Sequence, residues 1–183
     1  YASPGYTGLD WEVIGEVDGT PSYRIYATFA NPNDQLVAVF GTQYLPLETS
    51  STNPFVQHPD GGVLASGISA DVAGSDSWFT LGMLPGEATN LQTVGLDAPG
   101  AAFEAGGALE VTSPAGGMWF VFPAEQYDGS AGYPNEGRVL LGQLITEGQI
   151  SLQLNLQYQA PSGDMVVVTD SLTFPLDGLL GCM

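Results

Sequence analysis

The chain has 183 residues, enough for one sizeable core, and is 44% hydrophobic, which argues against a disordered chain. Only 12% of residues are charged, with no lysine, and Arg24 and Arg138 stand against 20 carboxylates for a net charge of −18. That balance argues against nucleic acid and anionic membrane surfaces as partners, since both demand cations, and no apolar run is long enough for membrane insertion by a helix.

Residues 1–9, YASPGYTGL, are rich in Gly, Pro and Tyr and predict an extended segment ahead of a domain spanning 10–176. Residues 10–17 read as a first strand, ended by the turn signal Asp18-Gly19. Residues 22–30 alternate, with Tyr23, Ile25, Ala27 and Phe29 on one side and Arg24, Tyr26 and Thr28 on the other. NPND at 31–34 is a turn, and 35–44 is apolar on both faces, as a central strand requires. From 45 to 75 the pattern is lost. A long loop is predicted, anchored by Phe55, Val63, Leu64 and Ile68, with a short helical turn near 66–73.

Residues 77–83 read as a strand, 90–94 and 108–111 as short ones, and 117–122 as a strong one stopped by Pro123. A second polar, acidic loop follows over 124–136. Residues 138–146 are predicted to pair, through Glu147-Gly148, with 149–158, and 165–174 to return as the last strand of a meander. In 149–158, QISLQLNLQY, the period is strictly two. Ile150, Leu152, Leu154, Leu156 and Tyr158 predict a buried face, and Ser151, Gln153, Asn155 and Gln157 an outer face of uncharged polar groups. The tail is 177–183. Nine or ten strands and almost no helical periodicity indicate an all-β chain. The expected fold is a single antiparallel β-sandwich, jelly-roll-like or immunoglobulin-like, with a closed barrel as the alternative.

Catalytic equipment is poor, and we expect no enzyme. His58 is the only histidine and lies in a Pro/Asp/Gly loop. No G-x-S-x-G elbow occurs; Asp128-Gly-Ser-Ala-Gly132 lacks the first glycine. Cys182 is the only cysteine, so no disulfide forms within the chain and no transition-metal set is available. Glu12 and Glu16, placed on one strand face, and Glu104 and Glu110 are carboxylates of the kind glycosidases pair, without a spaced motif. Calcium is the one cofactor with suitable ligands: Asp60, Asp71 and Asp76 border the first loop, and Glu125, Asp128 and Glu136 lie in the second. The plain alternative is that these are solvated loop acids. Trp11, Trp78 and Trp119 could stack on sugar rings, but their place in strands predicts burial.

The segments YRIYATFANPNDQLVAVFG (23–41), FVQHPDGG (55–62), DSWFTLG (76–82) and GRVLLGQLITEGQISLQLNLQ (137–157) together resemble an uncharacterised secreted β-sandwich module of large surface proteins of aquatic bacteria. Gly181-Cys182-Met183 is similar to the opening of the Cys-containing repeats that follow such modules. The resemblance implies secretion and multidomain surface architecture, and a chain cut near Cys182 from a longer protein; the start at Tyr1 implies processing. The expected role is a non-catalytic extracellular or cell-surface structural or adhesive domain, with a self-assembling filament subunit as its specific form. The alternative is a carbohydrate-binding module. Expected partners are copies of the chain, joined head-to-tail through Tyr1 and Tyr6 or through Leu179 and Leu180, or other extracellular proteins or glycans.

Overall fold

The computed structural model describes residues 5–87, 90–122 and 136–176. These form two antiparallel sheets packed as a sandwich. The strands are β1 (Tyr6–Val17), β2 (Thr20–Phe29), β3 (Gln35–Gly41), β4 (Leu47–Ser51), β5 (Trp78–Phe79), β6 (Gln92–Val94), β7 (Leu109–Val111), β8 (Gly117–Phe120), β9 (Arg138–Ile145), β10 (Ile150–Gln159) and β11 (Met165–Phe174). One helix, α1 (Asp97–Glu104), lies between β6 and β7.

The smaller sheet runs β1-β2-β9-β5. Its β1–β2 hairpin closes through Asp18 (φ 50°) and Gly19 (φ 84°), the two positive φ values that a tight right-twisted hairpin demands. The larger sheet is built on β10. Along one side β10 pairs with β11 over its whole length; along the other it pairs first with β4, over Ile150–Gln153, and then with β3, over Asn155–Gln159. Strands β8 and β6 extend the sheet beyond β3, and β7 beyond β4.

Between the sheets lies a core that includes Ile25, Leu36, Val39, Leu141, Leu144, Leu154 and Leu156. An aromatic file, Phe55, Phe103, Phe79 and Trp119, runs through it with ring centroids 5.0–5.4 Å apart. At its far side Trp11 stacks on Phe174 at 5.0 Å. A second, smaller apolar cluster sits on the outer face of the smaller sheet. There Tyr26, Trp78 and Leu140 are covered by Ala65, Ile68 and Val72 from the long connection after β4. This explains why β9 is buried on both faces: one meets the sandwich core, the other meets this strap.

Several expectations are corrected. Strand β1 starts at Tyr6, so residues 6–9 belong to the sheet and not to a separate segment. The expected loop 45–75 contains β4, and its remainder is a folded strap with 3-10 turns at Ala65–Gly67 and Ala73–Ser75. Helix α1 was not expected. It spans two turns, tolerates Pro99 in the first of them, and buries Phe103 and Gly100.

The expected pairing of β9 with β10 does not occur. Strand β9 pairs with β2 and β5, whereas β10 belongs to the other sheet, so the connection through Gly148 crosses between layers and, of the expected meander, β10–β11 alone forms. Finally, Asn155 is not on a wet face; it is completely buried. Its Nδ2 donates to the carbonyls of Phe40 (3.0 Å), Leu45 (2.8 Å) and Pro46 (3.1 Å), and its Oδ1 accepts from the Thr169 hydroxyl (2.8 Å). It sits where β10 changes partner from β4 to β3. The amide supplies a side-chain donor to carbonyls at that change of partner; Leu45's also accepts from the Thr42 N–H at 2.8 Å.

Candidate functional site

Of the residues expected to hold calcium, Asp60, Asp71, Asp76 and Glu136 are described. Asp60 and Asp71 are exposed on the strap, and Glu136 is exposed just before β9. Asp76 is fully buried, and its carboxylate accepts from the backbone N–H groups of His58 (2.8 Å) and Gly62 (3.1 Å). It pins the strap to the sheet. A Cβ at Gly61 would lie 2.1 Å from Asp76 Oδ2, so glycine is required there. Burial pushes the Asp76 pKa up, against the backbone hydrogen bonds that lower it. Glu125 and Asp128 lie outside the described residues, as do Tyr1, Leu179 and Leu180. Among the described residues no group of three or more His, Cys, Asp or Glu is placed to hold a metal.

The other singled-out residues have mostly structural surroundings. The Nδ1 of His58 accepts from the Asp60 N–H at 3.0 Å. Tyr6 packs its ring on Phe29 and donates its hydroxyl to Asp170 at 2.8 Å, so its side chain is engaged within the domain. Burial first, then Asp170, raises its pKa. Glu12 and Glu16 do not share a face. A bulge between Val13 and Gly15 shifts the register, so that Glu12 lies opposite Arg24 and Glu16 opposite Pro21, which points the other way.

Two features remain that could meet another molecule. The first is the pair of long edge strands. Edge strands β5, β6 and β7 are two or three residues long, which limits what can pair with them. Strands β1 and β11 are twelve and ten residues long, and among the described residues each pairs on one side only. They lie on the same side of the sandwich, joined by the Tyr6–Asp170 hydrogen bond and the Trp11–Phe174 stack. Near them Val13, Ile14, Met165 and Val167 are 41–50% exposed.

The second feature is the outer face of the smaller sheet, which carries both cations. The Arg138 guanidinium lies over the Tyr26 ring, 4.0 Å from its centroid, and 3.7 Å from Glu12. The Tyr26 hydroxyl donates to Glu12. Burial, then Glu12, raises the Tyr26 pKa, while Arg138 and Arg24 oppose the rise. Sequence periodicity placed Arg24 and Tyr26 on one face. It held no signal that Arg138 would join them, because that depends on which strands are neighbours.

No protein-family model matches the chain, and no curated protein matches it. Among solved structures it is similar to a cohesin module from the family 33 glycoside hydrolase of Clostridium perfringens ATCC13124, at 9% identity and a TM-score of 0.37, over 93% of this chain and 96% of that one. The sandwich stands on its own strand pairings, and at that TM-score the likeness adds nothing to it. Among the described residues no helix is long and apolar enough to cross a membrane.

Proposed function

We propose that the chain is a non-catalytic extracellular structural or adhesive domain that joins other proteins, copies of itself first, by strand addition at the outer edge of β11. The observation that supports this is the state of that edge. Its ten residues, MVVVTDSLTF, pair with β10 without a bulge and contain no proline and one acid. Among the described residues no backbone group of another segment is hydrogen-bonded to its outer side, although the Ser171 N–H is held by the Asp170 carboxylate at 2.8 Å. An added strand would supply main-chain hydrogen bonds, with the uncharged outer positions of β10 and β11 meeting the partner without burying a charge. Repetition of a head-to-tail contact of this kind builds an open filament. The carbohydrate-binding alternative loses its main support, because Trp78 and Trp119 are core residues and Trp11 is stacked on Phe174.

The test is the size distribution of the purified chain by light scattering and electron microscopy, with and without removal of residues 1–4 or 177–183. Assembly that disappears with one terminus and with a charge on the β11 edge is the expected result. Unchanged assembly in the edge variant overturns the proposal. Calcium at the loops belongs to the same proposal; a melting temperature unchanged between chelator and millimolar calcium at fixed ionic strength removes it.

A further inference from the structure

We propose that Arg24 and the cavity beside it form a binding site for a monocarboxylate with an apolar body. The cavity has a volume of about 380 Å³ and opens on the outer face of the smaller sheet. Its size is that of a small-molecule pocket. Arg24 lines it from β2 and Gln143 from β9, two residues directly opposite in register. Ala70, Ala73, Leu84 and Pro85, with Trp78, supply the apolar wall.

Two observations make this a built site. The first is that, among the described residues, the Arg24 side chain makes no ion pair and its buried Nε has no hydrogen-bond partner. Glu12, its register neighbour, is instead engaged by Tyr26 and Arg138. The Nε is closed off, so a ligand in the cavity meets the half-buried guanidinium through its outer nitrogens, which a carboxylate can take with two parallel hydrogen bonds. The second is that the wall is fixed in place. The Ala73 carbonyl accepts from Gln143 Nε2 (2.8 Å) and from Trp78 Nε1 (3.0 Å), and Gln143 also donates to the Asp76 carbonyl at 3.1 Å. Gly86, at φ +90°, closes against Ala70, where a Cβ would come within 3.2 Å of the Ala70 methyl.

The ligand class follows from the lining. Arg24 selects a carboxylate. The alanine, leucine and proline wall selects an apolar body over a hydroxylated one. Glu87 on the rim and the net charge of −18 select against ligands with further negative charges. Such a carboxylate can belong to a free acid or to the C-terminus of a protein chain.

The experiment is a titration of the full chain, followed by the NMR signals of Arg24 Nε–H and Trp78 Nε1–H. Hexanoate is expected to move both saturably in the millimolar range, while hexanol and glucuronate do not. The Arg24→Gln variant should keep its melting temperature and lose the hexanoate response at Trp78. Arg24→Lys, which keeps the charge but not the planar fork, should respond more weakly than the native chain. A leucine-ended tripeptide acid that binds more tightly than hexanoate, with its amide silent, identifies a chain terminus as the source; the reverse order identifies a free acid. No saturable shift with either acid, an equal response to hexanol, or a full response in Arg24→Gln overturns the proposal. Should Arg24→Gln fail to fold, the comparison of hexanoate with hexanol on the native chain decides alone.

Discussion

Strands β1 and β11 are neighbouring edges of one sandwich, yet they are guarded differently. Strand β1 carries two bulges, between Tyr6 and Gly8 and between Val13 and Gly15, and the acids Asp10, Glu12 and Glu16. Bulges twist an edge away from a partner, and like charges repel one. Strand β11 has an unbroken register and the single acid Asp170, which is tied to Tyr6. Exposed apolar side chains occur on both, so hydrophobicity does not distinguish them. What differs is whether the backbone can receive a strand. A chain without lysine lacks the commonest edge charge, and here the guards it does have are concentrated on one edge.

The largest expected effect sharpens the frame in which both edges sit. Leu154→Asp places a charge between the sheets, costs about 4 kcal/mol or more, and should abolish the cooperative thermal transition seen by circular dichroism. Asn155→Asp comes next. It exchanges an amide donor for an acid facing three carbonyls and should cost about 3 kcal/mol in a denaturant melt. Because β11 is held on β10, whereas β1 lies in the other sheet, amide exchange should quicken in β11 more than in β1; equal quickening would break the comparison.

Trp11→Ala cuts the contact between the two edges. Trp11 is half-buried, so the expected loss is about 2 kcal/mol, below the range for a fully buried tryptophan.

Asp34→Asn should act in the opposite direction. Asp34 is 2% exposed, its Oδ2 has no partner among the described residues, and burial raises its pKa above the ordinary 3.8. The folded chain therefore holds this proton more tightly than the unfolded one. Its contribution to stability is present below the ordinary pKa and is lost as pH rises through the raised value. The variant should melt higher than the native chain at neutral pH, with the gain vanishing below pH 3.8; a gain that persists in acid would assign it to something other than this charge.

The smallest effect on stability is the most direct test of the edges. Val167→Lys and Ile14→Lys both alter exposed side chains and should each change stability by no more than about 0.5 kcal/mol. Only Val167→Lys should reduce assembly measured by light scattering. If Ile14→Lys reduces it equally, the bulges on β1 are not a guard.

The sequence by itself determined the class of fold, the strand β11 to the residue, the Asp18-Gly19 hairpin and the buried face of β10. Each is local: alternation reports one strand's own faces, and a turn's φ values are set by the residues in it. Tertiary structure decided the rest. That β9 crosses to the other sheet, that Glu16 leaves the face of Glu12, and that Arg24 and Arg138 come to share one surface all depend on which strands are adjacent and where a bulge shifts the count. Asn155 is the sharpest case. Its polarity is legible and its phase was read correctly, but its burial comes from the chain between β3 and β4 lying over it. Period-two alternation says which residues share a face; it does not say what covers that face.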